Sequence, residues 1–411
     1  MHILFLSHYF PPEVNAPASR TYDHTRRWVQ NREIKVTVMT NYPNHPNGVL
    51  YPGYKNRWLT REKKDGIDVL RVKTFLAANA GFLRRTLNYF FFMIAATFGS
   101  VRVSKPDVVV ATSPQFLCAV AGYLVSRLKE CPFVFELRDL WPESIVAVGA
   151  MRPSLTVRLL EKLELFLYRK AARVVALTDA FKENLISRGI PSLKIVVINN
   201  GADLSFFCPR PKSEDLVREL NAQGRFIVSY IGTVGMAHAV EIIIEAADRI
   251  KKIPEILFLI VGEGANKKRI ENLVAQKSLR NVMVLPGVSK ERVRDFYSIT
   301  DLYLVTLRNT QLFRTVIPSK IFEAMAMARP ILCAVDGECW KVVGKAGAGV
   351  FVEPENVDQM AEAIRMLCGE KDSLRTMGQN GRTFVERLFN RDDLAQTYLN
   401  LLREVARVNN Q

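Results

Sequence analysis

The chain has 411 residues, 48% hydrophobic and 24% charged, a globular composition that excludes general disorder and sets a prior of two or three domains. Its formal net charge of +16 is lopsided: residues 1–200 hold 28 Lys and Arg against 15 Asp and Glu, and residues 201–411 hold 29 against 26. Such a field favours a phosphorylated substrate or an acidic lipid surface; with no zinc-finger spacing and no RNP-like string beside it, nucleic acid is not an expected partner.

In chain order, MHILFLSHYFPPE lacks a basic leader and its apolar run stops at Pro11, so it reads as a first strand rather than a signal peptide. Further strands are expected at 35–40, 68–72, 107–111, 132–136, 173–177 and 195–198, each followed by a helical stretch or a loop. Near-continuous hydrophobic runs suit strands covered on both faces, and their alternation with helices implies a parallel, doubly wound sheet. The apolar run LNYFFFMIAATF, Leu87 to Phe98, is shorter than the about twenty residues a membrane span needs. With Arg84 and Arg85 before it, and Phe90, Phe91 and Phe92 within it, it suits either a buried helix or one lying on an acidic membrane surface. Turn signals at Asn199-Asn200-Gly201, Pro209 and Pro211 mark a linker near 200–225. A second series follows: FIVSYIG, EILFLIVG, VMVLPG, DLYLVTL, PILCAV and GVFVEP. The organisation expected is two Rossmann-like domains facing a central cleft, residues 1–200 and 201–390, with a helix in 391–411 packing back on the first. None of the six cysteines forms C-x-x-C, which fits reduced thiols and a cytoplasmic protein.

The segment RTVIPSKIFEAMAMARPIL, Arg314 to Leu332, carries the most chemistry. Pro318 suits the first helical position, with Ser319 and Lys320 in the first turn. A helix start attracts phosphate, and Lys320 adds a full charge. Glu323, one turn in, is placed to accept ribose hydroxyls. The same letters also fit a buried helix with a solvent-facing Lys and Glu. In the first half, FELRDLWPES puts Arg138 and Asp139 just past a strand end, where side chains meet ligands in open α/β sheets. They could equally be a structural pair. Glu13, past the first strand, is a further acidic candidate.

These segments, in this order, resemble glycosyltransferase family 4. PSKIFEAMA and ARPIL are similar to its signature helix and turn, and Glu323 matches the second acid of its E-x₇-E core. LSHYFPPE, FELRDLWPES and IGTVGMAHAVEIIIEAA resemble a branch of enzymes that assemble O-antigen, capsule and exopolysaccharide, which includes proposed N-acetylfucosamine transferases. The resemblance covers nearly the whole chain. It implies a GT-B fold and a retaining, metal-independent transfer of a hexosyl or N-acetylhexosaminyl group from a nucleotide-sugar, a UDP-sugar by expectation, with no cofactor. It further implies a lipid-linked or saccharide acceptor and peripheral attachment to the inner face of the cell membrane. On this reading Arg138, Asp139 and Glu13 serve catalysis. Gly232, Thr233, His238, Arg314, Pro318, Ser319, Lys320 and Glu323, with Gly287 and Val288 of LPGVSKERV, bind the donor.

Four departures stand out, one of them Arg138, which stands where many members carry a His. The first family acid falls on Thr315. A basic pair that holds the donor diphosphate in many members falls on Thr233 and His238, and a first-loop glycine pair on Asn15-Ala16. A sugar-nucleotide 2-epimerase of the same fold, or a non-catalytic scaffold, are the alternatives these departures leave open.

Overall fold

The computed structural model describes residues 1–45, 47–76, 82–143 and 154–408. The last residue of FELRDLWPES, Gly81 before the apolar run, and the final three residues of the chain lie outside them. The chain divides into two compact units, Met1–Asn199 with Arg391–Gln411, and Asn200–Asn390.

The sheet of unit 1 has eight strands: β1 (His2–Leu6), β2 (Lys35–Asn41), β3 (Leu59–Lys64), β4 (Ile67–Val72), β5 (Val108–Thr112), β6 (Phe133–Leu137), β7 (Arg173–Ala176) and β8 (Ile195–Val197). Their order is β3-β4-β2-β1-β5-β6-β7-β8. All neighbours are parallel except β3 and β4. β1 is buried at every residue, as a central strand with helices on both faces must be. β3 escaped the sequence reading. It is an edge strand, LTREKK, whose charged residues give no apolar run to find. Asp65 and Gly66, both at positive φ, make the tight turn that pairs β3 with β4.

Four helices of this unit matter below. α1 (Ala16–Trp28) starts at Asn15, whose side chain accepts the Ala18 N–H at 2.9 Å. α2 (Phe82–Gly99), α3 (Phe116–Lys129) and α4 (Leu155–Lys170) follow in turn. The C-terminal helix Arg391–Val408 belongs to this unit. It lies on α1, where Trp28 donates its indole N–H to the Ala395 carbonyl at 2.8 Å and Tyr398 sits edge-on to Trp28. Arg391 pairs with Asp23, and Arg27 with Asp392. Leu399 and Leu402 join the core beneath β1 and β2.

Unit 2 has six parallel strands: β9 (Phe226–Ile231), β10 (Ile256–Val261), β11 (Val282–Leu285), β12 (Leu302–Thr306), β13 (Ile331–Ala334) and β14 (Gly349–Phe351). Their order is β11-β10-β9-β12-β13-β14. Hydrophobic clusters cover the sheet on both faces. β9 therefore lies centrally, and the loop that leaves its carboxyl end sits where a doubly wound sheet binds ligands.

The docking of the C-terminal helix is open to test. Leu402 is fully buried, so Leu402→Ala should cost about 2–5 kcal/mol in a urea titration of unit 1. A change within about 0.5 kcal/mol, the range of surface substitutions, would show that the helix is not part of this core.

Candidate active site

Unit 2 gathers most of the expected donor residues at its strand ends. β9 leads through Tyr230 and Ile231 into Gly232. The loop after β10 passes so close that a Cβ on Gly262 would lie 1.8 Å from the Gly232 carbonyl oxygen, and one on Gly264 2.2 Å from that of Val234. Only glycine lets the two backbones approach this closely. Tyr230 donates its hydroxyl to the Thr233 carbonyl at 2.7 Å, which fixes both ring and loop.

Lys320 lies over that ring. Its Nζ is 3.7 Å from the centre of Tyr230, a cation–π contact, and Gly232 packs against the end of the side chain. The residue as a whole is half-buried, but Nζ is sealed from solvent and has no hydrogen-bond partner. Burial pushes the ammonium down to about 7, and the partial counter-pull of Cys339 and Glu323 does not restore it. A buried, unpaired cation is a standing demand for an anion.

The neighbouring side chains are ordered around it. Glu323, one turn into the helix, accepts the Tyr297 hydroxyl at 3.3 Å. Arg314 is exposed and pairs with Asp336 at 3.4 Å, on a short turn where the Thr315 hydroxyl donates to the Leu312 carbonyl at 2.6 Å. The N–H of Gly287 donates to Glu263 at 3.0 Å, and Val288 packs on the unit 2 core. Thr233 is exposed at the tip of the glycine loop.

One expectation needs correction. Pro318 is not the first helical residue. The helix is short, Lys320–Ala326, and Ser319 stands at its cap. The Ile321 and Phe322 amides are spent on the Pro318 and Ser319 carbonyls, so the helix start offers fewer amides to an anion than a proline-initiated helix would. His238, which falls where many family members have a lysine, is held at about 4 by burial and by the charge of Lys320 beside it. It is neutral at pH 7. Its Nδ1 is sealed without a partner, and its carbonyl accepts the Thr306 hydroxyl at 2.6 Å.

Unit 1 holds the three acceptor-side candidates at the ends of β1 and β6. The backbone N–H of Arg138 donates to the Ser113 hydroxyl at 2.8 Å. Its Nε and Nη1 are sealed and unpartnered, and burial lowers the guanidinium to about 10 against the pull of Glu136. The Asp139 carbonyl accepts the Trp141 N–H. One oxygen of Glu13 takes the N–H groups of Asn44 and His45, both at 3.0 Å, tying the loops after β1 and β2 together. The other oxygen is buried without a partner, and burial raises the carboxyl.

The sequence reading missed several residues. Glu136, inside FELRD, forms a buried pair with Arg20 at 3.0 Å, and Arg20 also donates to the Ile198 and Asn199 carbonyls. His8 is buried at the end of β1 among Tyr9, Tyr89 and Phe92, and is pushed down to about 3. Tyr230 is indistinguishable in sequence from a core residue. Among the described residues, no group of three or more His, Cys, Asp or Glu side chains comes together that could hold a metal.

Each unit is a doubly wound α/β sheet with its candidate residues at the strand ends, and comparison with known proteins gives the class. Residues 18–201 match the description of the glycosyl transferase 4-like domain, and residues 212–384 that of glycosyl transferases group 1. The chain belongs to the family 4 glycosyltransferases. The WcaI protein of Escherichia coli (strain K12), assigned by name to colanic acid biosynthesis, is 22% identical over 418 residues, covering 98% of this chain and 100% of that one. Among solved structures, sucrose-phosphate synthase from Thermosynechococcus elongatus aligns with a TM-score of 0.75 at 18% identity, over 98% of both chains. Anabaena HepE, in complex with UDP and glucose, aligns with a TM-score of 0.74 at 16% identity, over 98% of this chain and 99% of that one. The fold is GT-B.

The buried ammonium has a stability signature. Its folded pKa lies below the ordinary 10.5, so between about pH 7 and that value the unfolded chain binds the extra proton and stability rises with pH. Lys320→Met should remove this rise and make the protein more stable at pH 7, as read by chemical denaturation at several pH values. A mutant less stable than wild type throughout would show that the ammonium is not isolated.

Proposed function

We propose that this glycosyltransferase is a retaining enzyme that moves a sugar from a UDP-sugar to a lipid-linked or saccharide acceptor in surface polysaccharide biosynthesis. It works at the inner face of the cell membrane, with the basic first unit toward the lipid. The observation that carries the donor assignment is the sealed, unpartnered Lys320 ammonium at the carboxyl end of β9. A nucleoside diphosphate supplies the anion it lacks, and transfer increases the negative charge on the diphosphate as the glycosidic bond breaks. A preorganised cation at that point stabilises the transition state more than the ground state. Arg314 adds to the phosphate site, as do amides of the Gly232 loop other than those of Gly232 and Val234, which the Val261 and Glu263 carbonyls already take, and Glu323 takes the ribose hydroxyls. Thr233, Pro318 and Ser319 shape the pocket, while Gly287 and Val288 meet the base through their backbone. Developing negative charge falls to side-chain cations and amides rather than to a metal. Arg138 offers two unpaired N–H groups to an anion. Asp139 and the free oxygen of Glu13 are assigned to hydroxyls of the acceptor side. The UDP of the HepE complex and the polysaccharide role in the name of WcaI support this reading.

Lys320→Ala should weaken UDP binding about 10- to 100-fold by calorimetry, the loss of one charge-assisted contact. Unchanged affinity in a folded mutant would remove Lys320 from the phosphate site. Glu323→Gln should raise the donor KM several-fold with the fold intact. An unfolded Glu323→Gln protein would make the residue structural. For the reaction itself, radiolabelled UDP-sugars should yield a labelled glycolipid or oligosaccharide only when acceptor is present. Conversion of UDP-N-acetylglucosamine without acceptor would instead indicate the epimerase.

A further inference from the structure

The solvent side of α2 breaks the usual rule for a surface helix. From Thr86 to Gly99 it carries no charge, and its outward positions include Leu87, Phe90 and Phe98, exposed by 45%, 47% and 63%. Phe92 is sealed against His8 and Phe91 is partly buried, so the aromatic run is divided between core and surface. The spacing 87, 90, 98 follows one helical face, which in a water-facing helix would be polar.

This face does not stop at α2. α3 packs beside it and α4 beside α3, with Tyr123 and Phe166 in edge contact at 5.4 Å. Leu124 and Leu128 of α3, and Leu159 of α4, also point outward. Nine of the twenty large apolar side chains exposed among the described residues lie on α2, α3, α4 and the turn Ser100–Arg102. An apolar area on this scale is not ordinary scatter.

The charges around it are mostly basic, with exposed Glu130 at the end of α3 as an exception. Those same elements carry nine Lys and Arg and two acids, Glu161 and Glu164. Glu164 is buried and paired with Arg188 at 2.6 Å, so it adds little to the surface. Arg84, Arg85, Arg102, Arg127, Arg158 and Lys162 are all exposed. An apolar face in a basic surround is complementary to an anionic lipid bilayer, whose headgroups attract the cations and whose acyl boundary takes the side chains. An acidic protein would match the charges but not the apolar area, and a second copy would set the basic residues against one another.

We infer that the outer face of α2, α3 and α4 is a bilayer-docking surface that inserts its leucine and phenylalanine side chains among anionic lipids. Basic Arg85 at the start of α2 lies close enough for its charge to bear on Tyr9 and His45 at the strand ends of unit 1. Docking of unit 1 on a bilayer suits an acceptor carried by a lipid. That use rests on the acceptor proposed above; the docking itself does not.

The test is co-flotation with phosphatidylcholine vesicles, with and without phosphatidylglycerol, at low and high salt. The protein should prefer the anionic vesicles by at least tenfold. Raising salt to about 1 M shortens the reach of the charges to about 3 Å, and should weaken binding without abolishing it. Arg84→Glu with Arg85→Glu should remove the salt-sensitive part. Phe90→Ser with Phe98→Ser, and separately Leu128→Ser with Leu159→Ser, should remove the salt-resistant part. All these side chains are exposed, and UDP affinity should stay unchanged as the check that each variant is folded and that the donor reading stands or falls independently. Equal flotation of wild type and variants would overturn the inference. So would a vesicle-free dimer that Phe90→Ser breaks, since the face would then belong to a second copy.

Discussion

The ammonium of Lys320 is sealed from water, has no acceptor within reach and rests on the face of Tyr230. A buried charge of this kind is held only by the stability of what surrounds it. Unit 2 provides that through close backbone contact. Gly262 and Gly264 let the loop after β10 press on the loop after β9, and the Tyr230 hydroxyl ties the ring to Thr233. His238 beside it is kept neutral, first by burial and then by the charge of Lys320. The side chain is thus held in place before any ligand arrives, and an incoming diphosphate has only to complete its protonation.

Unit 1 shows a related tension in a different form. The guanidinium of Arg138 is buried with two nitrogens unused, beside a buried pair between Arg20 and one oxygen of Glu136, whose other oxygen has no partner. Glu13 divides its carboxylate, one oxygen holding the loops after β1 and β2 and the other left open. The helix Arg391–Val408, distant in sequence, contributes Leu399, Leu402 and Val405 to the core of this unit.

Much of this was legible in the sequence. Six apolar runs became the six strands of unit 2, because strands covered on both faces need no polar residues. Lys320 and Glu323 could be singled out because a cation and an acid follow a proline at a helix start. Other features were hidden for physical reasons. β3 lacks an apolar run because its edge faces water. His238 stands where many members have a lysine, and its neutrality shows only once its burial beside another cation is known. Tyr230 reads as core, and its role depends on which residue crosses its face. On α2 the letters could not separate Phe92, sealed against His8, from exposed Phe90, since both belong to one uninterrupted apolar run. Nor could they show that α3 and α4 continue the same face, because adjacency of helices is a property of the fold.

The central claim is that a sealed Lys320, lowered to about 7 in the free protein, takes the donor diphosphate as a cation. Binding must then recruit a proton, because the phosphates favour the charged form that burial disfavours. Calorimetric titration with UDP at pH 8, where the nucleotide's own phosphates are fully ionised, in two buffers of different ionisation heat, measures this directly. The account predicts an uptake approaching about one proton per UDP bound, absent from Lys320→Met. Identical heats in the two buffers for the wild-type protein would contradict it.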